Sequence, residues 1–465
     1  MDHDSSTSEV HLCVLIHGLW GNPGHLDFLT SSLRDQFSGE DLHILLPKRN
    51  SGNFTYDGIE ICGERVTKEI EEEKERLEEK GIKITKISII GYSLGGLVAR
   101  YTVGILYHRG FFDDVKPINF TTFATPHLGV RSPLVGVGNV IWNVLGARTL
   151  SASGRQMFLI DSFRDTNRPL LSVLADPESI FHRALRSFKN RSLYSNIKND
   201  RTAVFYTTCI SATDPFADLS KVNINYLPNT QNLLVDWSNP VSPKSSSKTN
   251  SANTSLSTRV LGDIDTKSLF LRARLSLFFT FFLPIGACLY LANAAVQSVR
   301  SAQRIRLHTT GKTGIIAQHY NLPLMVETAQ RAAEDMFENV NASHAQQFLE
   351  DNDDSNDDDP TEEDEELDHN APTPEEIASQ EENALLPAKG VATRRTVGQM
   401  EFPTLALTNE QFGMIEGLDK VEFTKYPVHI QEVTHSHAAI IVRMNKESFK
   451  EGKFVIKHWL SKFEI

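Results

Sequence analysis

The chain has 465 residues, 40% of them hydrophobic and 9% aromatic, and it carries a formal net charge of −12. This length is enough for a large buried core and for about two or three domains. Acidic residues are concentrated between Glu350 and Asp368, so the rest of the chain is close to neutral. Domains that bind phosphate need a basic face, and this charge balance therefore argues against nucleic acid as the partner.

Residues 9–237 alternate short apolar runs with amphipathic or charged stretches. The apolar runs predict strands, which in chain order are VHLCVLIHG, LHILLP, KITKISIIG, INFTTFATP, SLYSNI and AVFYTTCI. The other stretches predict helices, among them LDFLTSSLRDQF, GIEICGERVTKEIEEEKERLEEKG and LGGLVARYTVGILYHRG. Strands that alternate with helices indicate an α/β fold, with a mainly parallel sheet covered by helices on both faces.

A long insertion is predicted after this region. Residues 238–268 are rich in Ser, Asn and Pro and predict a flexible linker. Residues 269–300 contain LSLFFTFFLPIGACLYLANAAV, which is 22 residues without a charge and long enough to span a bilayer. Residues 301–342 predict a further helical insertion. The acidic residues 343–395 predict a disordered, solvated spacer, with a partner-binding tail as the alternative.

Order is predicted to return in residues 396–465, which complete the α/β core. PVHIQEV and AAIIVRM predict strands, and KFVIKHWLSKF predicts a terminal helix.

Cysteine usage favours a reducing compartment inside the cell. The four cysteines have no paired short spacing, so neither a disulfide framework nor a zinc site is predicted. The start of the chain, MDHDSSTSEV, lacks the basic and then apolar pattern of a secretory signal.

The stretch GYSLG, centred on Ser93, fits the pattern G-x-S-x-G between a predicted strand and a predicted helix. In this context the serine lies in a strained turn, and the glycines let strand and helix approach closely. A plain loop with Ser93 as a helix N-cap is the alternative, but a cap needs no glycine on either side. We therefore predict that Ser93 is a nucleophile.

A serine nucleophile also needs hydrogen-bond donors for the oxyanion. The loop HGLWG after the first strand can turn a backbone N–H toward the attacked carbonyl, and we predict Leu19 as this donor. The second donor is the N–H after the nucleophile, at Leu94. His17 lies in the same loop, where we expect it to shape the loop by a hydrogen bond rather than to act as the base.

The segments VLIHGLWGNPGHL, IIGYSLGGLVARY, FATPHLG and LYSNIKNDRT together resemble the fungal serine-esterase family of α/β-hydrolases, and the chain is similar to a lipid-droplet phospholipase. The resemblance covers residues 10–210 and resumes at HSHAAIIVR. It implies an α/β-hydrolase with a Ser, acid and His triad in chain order. It assigns no role to any residue between 238 and 395.

Two aspartates follow predicted strands and could orient the histidine, Asp200 and Asp214. The pattern alone does not separate them. The resemblance selects Asp200, because the acid of the family stands in an N-D-R-T run. Asp214 precedes a proline, as turn residues often do.

For the base, VTHSHAAIIVRMN offers His435 and His437. The resemblance selects His437 through the pattern His-x-x-Ile-Ile-Val-Arg, which leaves His435 as a neighbouring rim residue. His429 and His458 lie in strand-like and helix-like runs and are expected to be structural. The ATPHLGV segment around His127 is expected to shape the acyl pocket.

The uncharged run Leu275–Val296 constrains the topology. A single membrane crossing would separate the predicted base from Ser93, so a working hydrolase excludes it. We favour a hairpin that turns near Pro284 and Gly286 and enters a lipid monolayer from the cytosolic side, over a helix that lies flat in the interface. The expected location is the lipid droplet, or else the endoplasmic reticulum membrane.

These expectations combine into a serine-dependent lipid hydrolase, a phospholipase that cleaves acyl esters of glycerophospholipids. No metal or organic cofactor is expected, and the partners are the lipid substrate and a membrane or droplet monolayer. The alternatives are an acylglycerol or sterol-ester lipase, and a catalytically silent scaffold with a hydrolase fold.

Overall fold

The computed structural model describes residues 8–39, 41–131, 151–244, 296–308, 348–349 and 391–465. A six-stranded sheet lies at its centre, with the strand order β10-β5-β4-β3-β1-β2 and parallel pairing throughout. Two small antiparallel pairs, β6 with β7 and β8 with β9, lie outside this sheet. The strands are β1 (Ser8–Ile16), β2 (Leu42–Leu45), β3 (Ile82–Tyr92), β4 (Lys116–Phe123), β5 (Asn190–Asn196), β6 (Val222–Ile224), β7 (Val241–Pro243), β8 (Arg394–Val397), β9 (Met400–Pro403) and β10 (Thr424–Val428).

Helices cover both faces of the sheet. The helices are α1 (Asp27–Gln36), α2 (Ile59–Glu78), α3 (Leu94–His108), α4 (Phe111–Asp114), α5 (Ser151–Met157), α6 (Leu170–Ala175), α7 (Ile180–Arg186), α8 (Phe205–Cys209), α9 (296–308), α10 (Asn409–Asp419), α11 (Ser436–Ala439) and α12 (Lys450–Lys462). Short 3-10 turns span Pro23–Leu26, Gly52–Asp57, Arg164–Thr166 and Glu447–Phe449.

The apolar run of β1 is continuous because both of its faces are buried. Leu12 and Val14 pack into the core that includes residues of α2 and α3. Cys13 and Leu15 point the other way, into the core that includes residues of α1 and α12. Burial of each such leucine or valine contributes about 1.5–3 kcal/mol. The predicted α/β fold is therefore confirmed, with helices on the two faces of a parallel sheet.

Two of the strand predictions are wrong. AVFYTTCI contains the short helix α8, and AAIIVRM contributes its first two residues to α11 and continues as turns. Both runs are completely buried between Phe205 and Ile210 and between Ala438 and Val442. A short buried apolar run has the same composition in a strand and in a helix, so periodicity could not separate them.

The described residues also differ from the predicted boundaries of the insertion. β7 extends the first region beyond residue 237, α9 crosses the boundary placed at 300, and β8 begins before 396. Phe348 forms a β-bridge with Leu405. The predicted hairpin at 269–300, except for its last residues, and almost all of the acidic spacer lie outside the described residues. Within the described ranges, none of the helices combines the length and the hydropathy that a membrane span requires.

Candidate active site

Ser93 lies in the sharp turn between β3 and α3. Its backbone has φ 54° and ψ −130°, a region that non-glycine residues rarely enter. A Cβ on Gly91 would lie 2.4 Å from the Cα of Gly96, and a Cβ on Gly95 would lie 2.2 Å from the carbonyl oxygen of Ile16. The glycines of the GYSLG motif are therefore required by close backbone contacts, as the sequence predicted.

The structure brings Ser93, His437 and Asp200 together. The Nε2 of His437 lies 3.0 Å from the Oγ of Ser93, and its Nδ1 lies 2.9 Å from the Oδ2 of Asp200. All three side chains are buried, with exposed fractions of 7%, 3% and 7% respectively for Ser93, His437 and Asp200. Distances of this size permit proton transfer from the serine to the histidine, with the aspartate holding the ring.

The turn after β5 fixes both oxygens of Asp200. Oδ2 accepts a hydrogen bond from Asn196 Nδ2 at 2.8 Å in addition to the one from His437. Oδ1 accepts the backbone N–H groups of Thr202 at 3.1 Å and Ala203 at 2.8 Å. Asp214, the alternative acid, accepts the N–H of Phe216 in its own turn.

The short helix α11 carries His437. Ser436, the residue before it, donates its hydroxyl to the carbonyl oxygen of Lys198 at 2.9 Å and so ties α11 to the turn that bears Asp200. The hydroxyl of Tyr92 donates to the carbonyl oxygen of His437 at 3.1 Å, and the two rings lie 5.2 Å apart. His435, by contrast, is exposed at the N-cap of α11.

Sequence reasoning missed two of the residues that hold this arrangement. In the sequence, Tyr92 stands only at a variable position of the G-x-S-x-G motif, to which the pattern assigns no role. Thr125 was assigned to the acyl pocket, yet its hydroxyl donates to the carbonyl oxygen of Ser93 at 2.9 Å. The signal that could have found it is the position of Thr125, two residues after the end of β4, the strand beside β3 in the sheet.

The loop after β1 lies against the nucleophile. The N–H of Trp20 donates to Thr55 Oγ1 at 3.0 Å, and the N–H of Gly21 donates to the carbonyl oxygen of Gly18 at 3.0 Å. In the described part of the chain no hydrogen bond is found to the N–H of Leu19, or to that of Leu94 at the start of α3. Both N–H groups are therefore free to donate, as the predicted role of Leu19 and Leu94 in oxyanion binding requires.

His17 shapes this loop. Its Nδ1 lies 3.0 Å from the carbonyl oxygen of Gly18, which can only accept, so Nδ1 carries the hydrogen. Burial lowers the pKa of His17, and the bond to Gly18 partly opposes that effect. The imidazole is thus neutral at physiological pH and donates to the loop.

A pocket opens in front of Ser93 with largely apolar walls. Its lining includes Leu19, Trp20, Pro126, Val130, Met157 and Ala203, with Arg443 as the charged member. The pocket thus combines apolar walls with the polar side chains of Ser93 and His437.

The other histidines named in the sequence analysis hold the fold. His429 Nδ1 bonds the hydroxyl of Tyr226 at 2.7 Å, and His458 Nδ1 bonds that of Tyr194 at 3.0 Å. His127 is completely buried, with Nε2 3.0 Å from Thr122 Oγ1, away from Ser93. The described residues include no group of three or more His, Cys, Asp or Glu that could hold a metal ion.

Comparison with known proteins bears on this arrangement. Residues 6–214 match the family model described as "Putative serine esterase (DUF676)". The resemblance to the serine-esterase family is confirmed. The matched residues include Ser93 and Asp200, whereas His437 lies beyond them.

Three fungal relatives carry the description of a lipase. "Putative lipase C4A8.10" of Schizosaccharomyces pombe is 28% identical over 210 residues, which are 44% of this chain and 26% of the relative. "Putative lipase ROG1" of Saccharomyces cerevisiae is 29% identical over 247 residues, 51% of this chain and 34% of the relative. "Putative lipase YDL109C" of the same yeast is 28% identical over 209 residues, which are 44% of this chain and 31% of the relative. The similar region thus spans about a quarter to a third of the length of these relatives.

Among solved structures, an extracellular α/β-hydrolase from a Paenibacillus species is 20% identical and covers 28% of this chain and 45% of its own, with a TM-score of 0.18.

Proposed function

We propose that the chain is a serine-dependent lipid hydrolase that cleaves acyl esters, with glycerophospholipids as its substrates. The observation that carries the proposal is the continuous line of hydrogen bonds from Ser93 Oγ through His437 to Asp200. The apolar pocket and the lipase descriptions of the fungal relatives support a lipid rather than a polar ester.

The geometry supports a two-step acyl transfer. Ser93 Oγ attacks the ester carbonyl while His437 Nε2 accepts its proton, and the N–H groups of Leu19 and Leu94 stabilise the oxyanion. His437 then gives the proton to the leaving alcohol, which departs and leaves an acyl group on Ser93. The same nitrogen then deprotonates a water molecule, which attacks the acyl carbonyl. The bond to Ser93 Oγ breaks, the proton passes from His437 to Oγ, and the fatty acid leaves. Asp200 holds the ring with Nδ1–H toward itself and stabilises the imidazolium.

The second part of the proposal concerns the place of action. The uncharged run between Leu275 and Val296 would attach the enzyme to a lipid-droplet or endoplasmic reticulum surface from the cytosolic side. A hairpin in the monolayer keeps the segments that carry Ser93 and His437 on the same side. Deletion of residues 275–295 in a fluorescently tagged chain should release it from droplets. Retention on droplets after that deletion would contradict this part.

The hydrolase proposal is tested by labelling with a fluorophosphonate and by a lipid panel. The wild-type chain should be labelled and should release fatty acid from phospholipid vesicles, and Ser93→Ala should abolish both. Ser31→Ala, which changes an exposed serine in α1, is the matched control and should behave as the wild type. Absence of labelling would favour a silent scaffold, whereas hydrolysis of acylglycerols or sterol esters in preference to phospholipids would overturn the substrate class.

A further inference from the structure

The described part of helix α9 starts at residue 296, the last residue of the uncharged run, and contacts the α/β core at one buried carboxylate. Ser301 donates its hydroxyl to Asp57 Oδ1 at 2.6 Å. The guanidinium of Arg304 donates from Nη2 to Oδ1 at 2.7 Å and from Nε to Oδ2 at 2.9 Å. These contacts join two parts of the chain that lie 247 residues apart.

Asp57 is buried where it accepts the hydrogen bonds from this helix. Its exposed fraction is 1%, and Arg65 of α2 also donates to its Oδ2 at 2.8 Å. The guanidinium carbons of Arg304 and Arg65 lie 4.9 Å and 5.4 Å from the ring centre of Phe54. A buried carboxylate is stable only when it is paired and hydrogen-bonded, and α9 adds Ser301 and Arg304 to the pairing that Arg65 provides.

The same 3-10 turn that ends at Asp57 holds the loop next to Ser93. Gly52 donates its N–H to the carbonyl oxygen of Gly21 at 2.8 Å. Thr55 Oγ1 accepts the N–H of Trp20, as described above, and the Tyr56 hydroxyl accepts Trp20 Nε1 at 2.7 Å. Trp20 has φ 53°, a backbone conformation that a tryptophan keeps only when its surroundings enforce it.

We propose that Asp57 is a positioning residue for the loop of Leu19 and Trp20, and that it couples the docking of α9 to the geometry of the oxyanion site. This inference rests on the proposed hydrolase function, in which the Leu19 N–H faces the oxyanion. The line of contacts runs from Arg304 through Asp57 to Tyr56 and from there to Trp20.

Arg304→Gln tests the coupling on a soluble short-chain ester, for which lipid-surface binding plays no part. Asp57 keeps Arg65 and Ser301 as partners in this variant, so the fold is retained, which a thermal melt checks. A small displacement of an oxyanion donor lowers kcat, and we expect a fall of about 5- to 50-fold with KM changed by less than about twofold. Arg304→Lys keeps the charge and should restore part of kcat. Arg300→Gln removes the same charge from the exposed face of α9 and should have no effect.

A double-mutant cycle tests the route. Tyr56→Phe removes the partner of Trp20 Nε1, so Arg304→Gln combined with it should lower kcat little more than the stronger single variant does. Equal kcat values for Arg304→Gln and Arg300→Gln, a change in KM alone, or fully multiplicative effects in the cycle would each overturn the inference. Any of these three results with an active wild-type chain overturns the inference alone. A wild-type chain that hydrolyses no ester overturns the proposed function, and this inference with it.

Discussion

Gly18 and Ser93 are in contact at a distance that no larger residue at position 18 would permit. A Cβ on Gly18 would lie 2.7 Å from the Cβ and 3.2 Å from the Oγ of Ser93. Because Leu19 follows directly, this contact sets how close its N–H comes to the reacting serine. The glycine in the HGLWG loop thus has a specific function in the site, and its substitution has a definite expected effect.

Gly18→Ala should displace the loop and weaken oxyanion binding. We expect kcat for a soluble ester to fall about 100- to 1,000-fold, the range measured when one oxyanion donor is lost. The matched control is Gly413→Ala in α10, where a Cβ would meet no atom within 4 Å and alanine favours the helix. Wild-type kcat in Gly18→Ala would contradict the placement of the oxyanion loop.

Asp200→Asn should lower kcat by about 10³- to 10⁴-fold while the fold remains intact. The asparagine amide can donate to His437 Nδ1, which moves the ring hydrogen to Nε2 and prevents this nitrogen from accepting the proton of Ser93. Asp214→Asn serves as the control, because Asp214 bonds the N–H of Phe216 in a turn. A larger loss for Asp214→Asn than for Asp200→Asn would reverse the assignment of the acid.

Acid should destabilise the chain through His11. Burial is the main cause that lowers its pKa to about 4, with Lys86 adding to the effect and Glu464 opposing it. Ser88 Oγ, which accepts the N–H and the side-chain amide of Asn119, is left to donate its hydrogen to His11 Nε2 at 2.8 Å. The folded state thus favours neutral His11, whereas the unfolded chain binds a proton near pH 6.5.

The sign of this effect follows from the lowered pKa. The contribution of His11 is fully present above pH 6.5 and is lost as the pH falls from about 6.5 to 4. Between pH 7.5 and 5 it amounts to about 1–2 kcal/mol of unfolding free energy. Urea titrations at both pH values should show a smaller loss in His11→Gln than in the wild type. Equal losses would contradict the prediction.

Arg100 should be replaceable without loss of stability. It is 1% exposed, and its Nη1 donates to the carbonyl oxygen of His127 at 3.3 Å, while Nε and Nη2 find no hydrogen-bond partner among the described residues. Burial lowers its pKa to about 9. Transfer of a charge from water into the protein interior is costly, and methionine avoids this cost. Arg100→Met should therefore leave the free energy of unfolding within about 1 kcal/mol of the wild type or raise it. A loss above about 3 kcal/mol would show that the guanidinium has a strong partner.

Much of the site could be predicted from the sequence because its signals are local. The GYSLG motif lies between a strand and a helix of clear pattern, and the turn at Ser93 follows from sterics alone. The choice of Asp200 over Asp214 needed either a family resemblance or the fold, since both follow apolar runs. The contact of Arg304 with Asp57 could not be predicted from local sequence patterns, because the two residues are 247 positions apart and meet only in the folded chain.

The long separation of His437 from the rest of the triad also has a consequence for protein synthesis. His437 follows Asp200 by 237 residues, which a ribosome adds in about 10–50 s at its usual speed. During that time β5 has no neighbour on the side that β10 later fills, and Ser93 has no base. Under the proposed mechanism, the growing chain therefore cannot hydrolyse an ester before the uncharged run, the segment proposed to reach the lipid, has been synthesised.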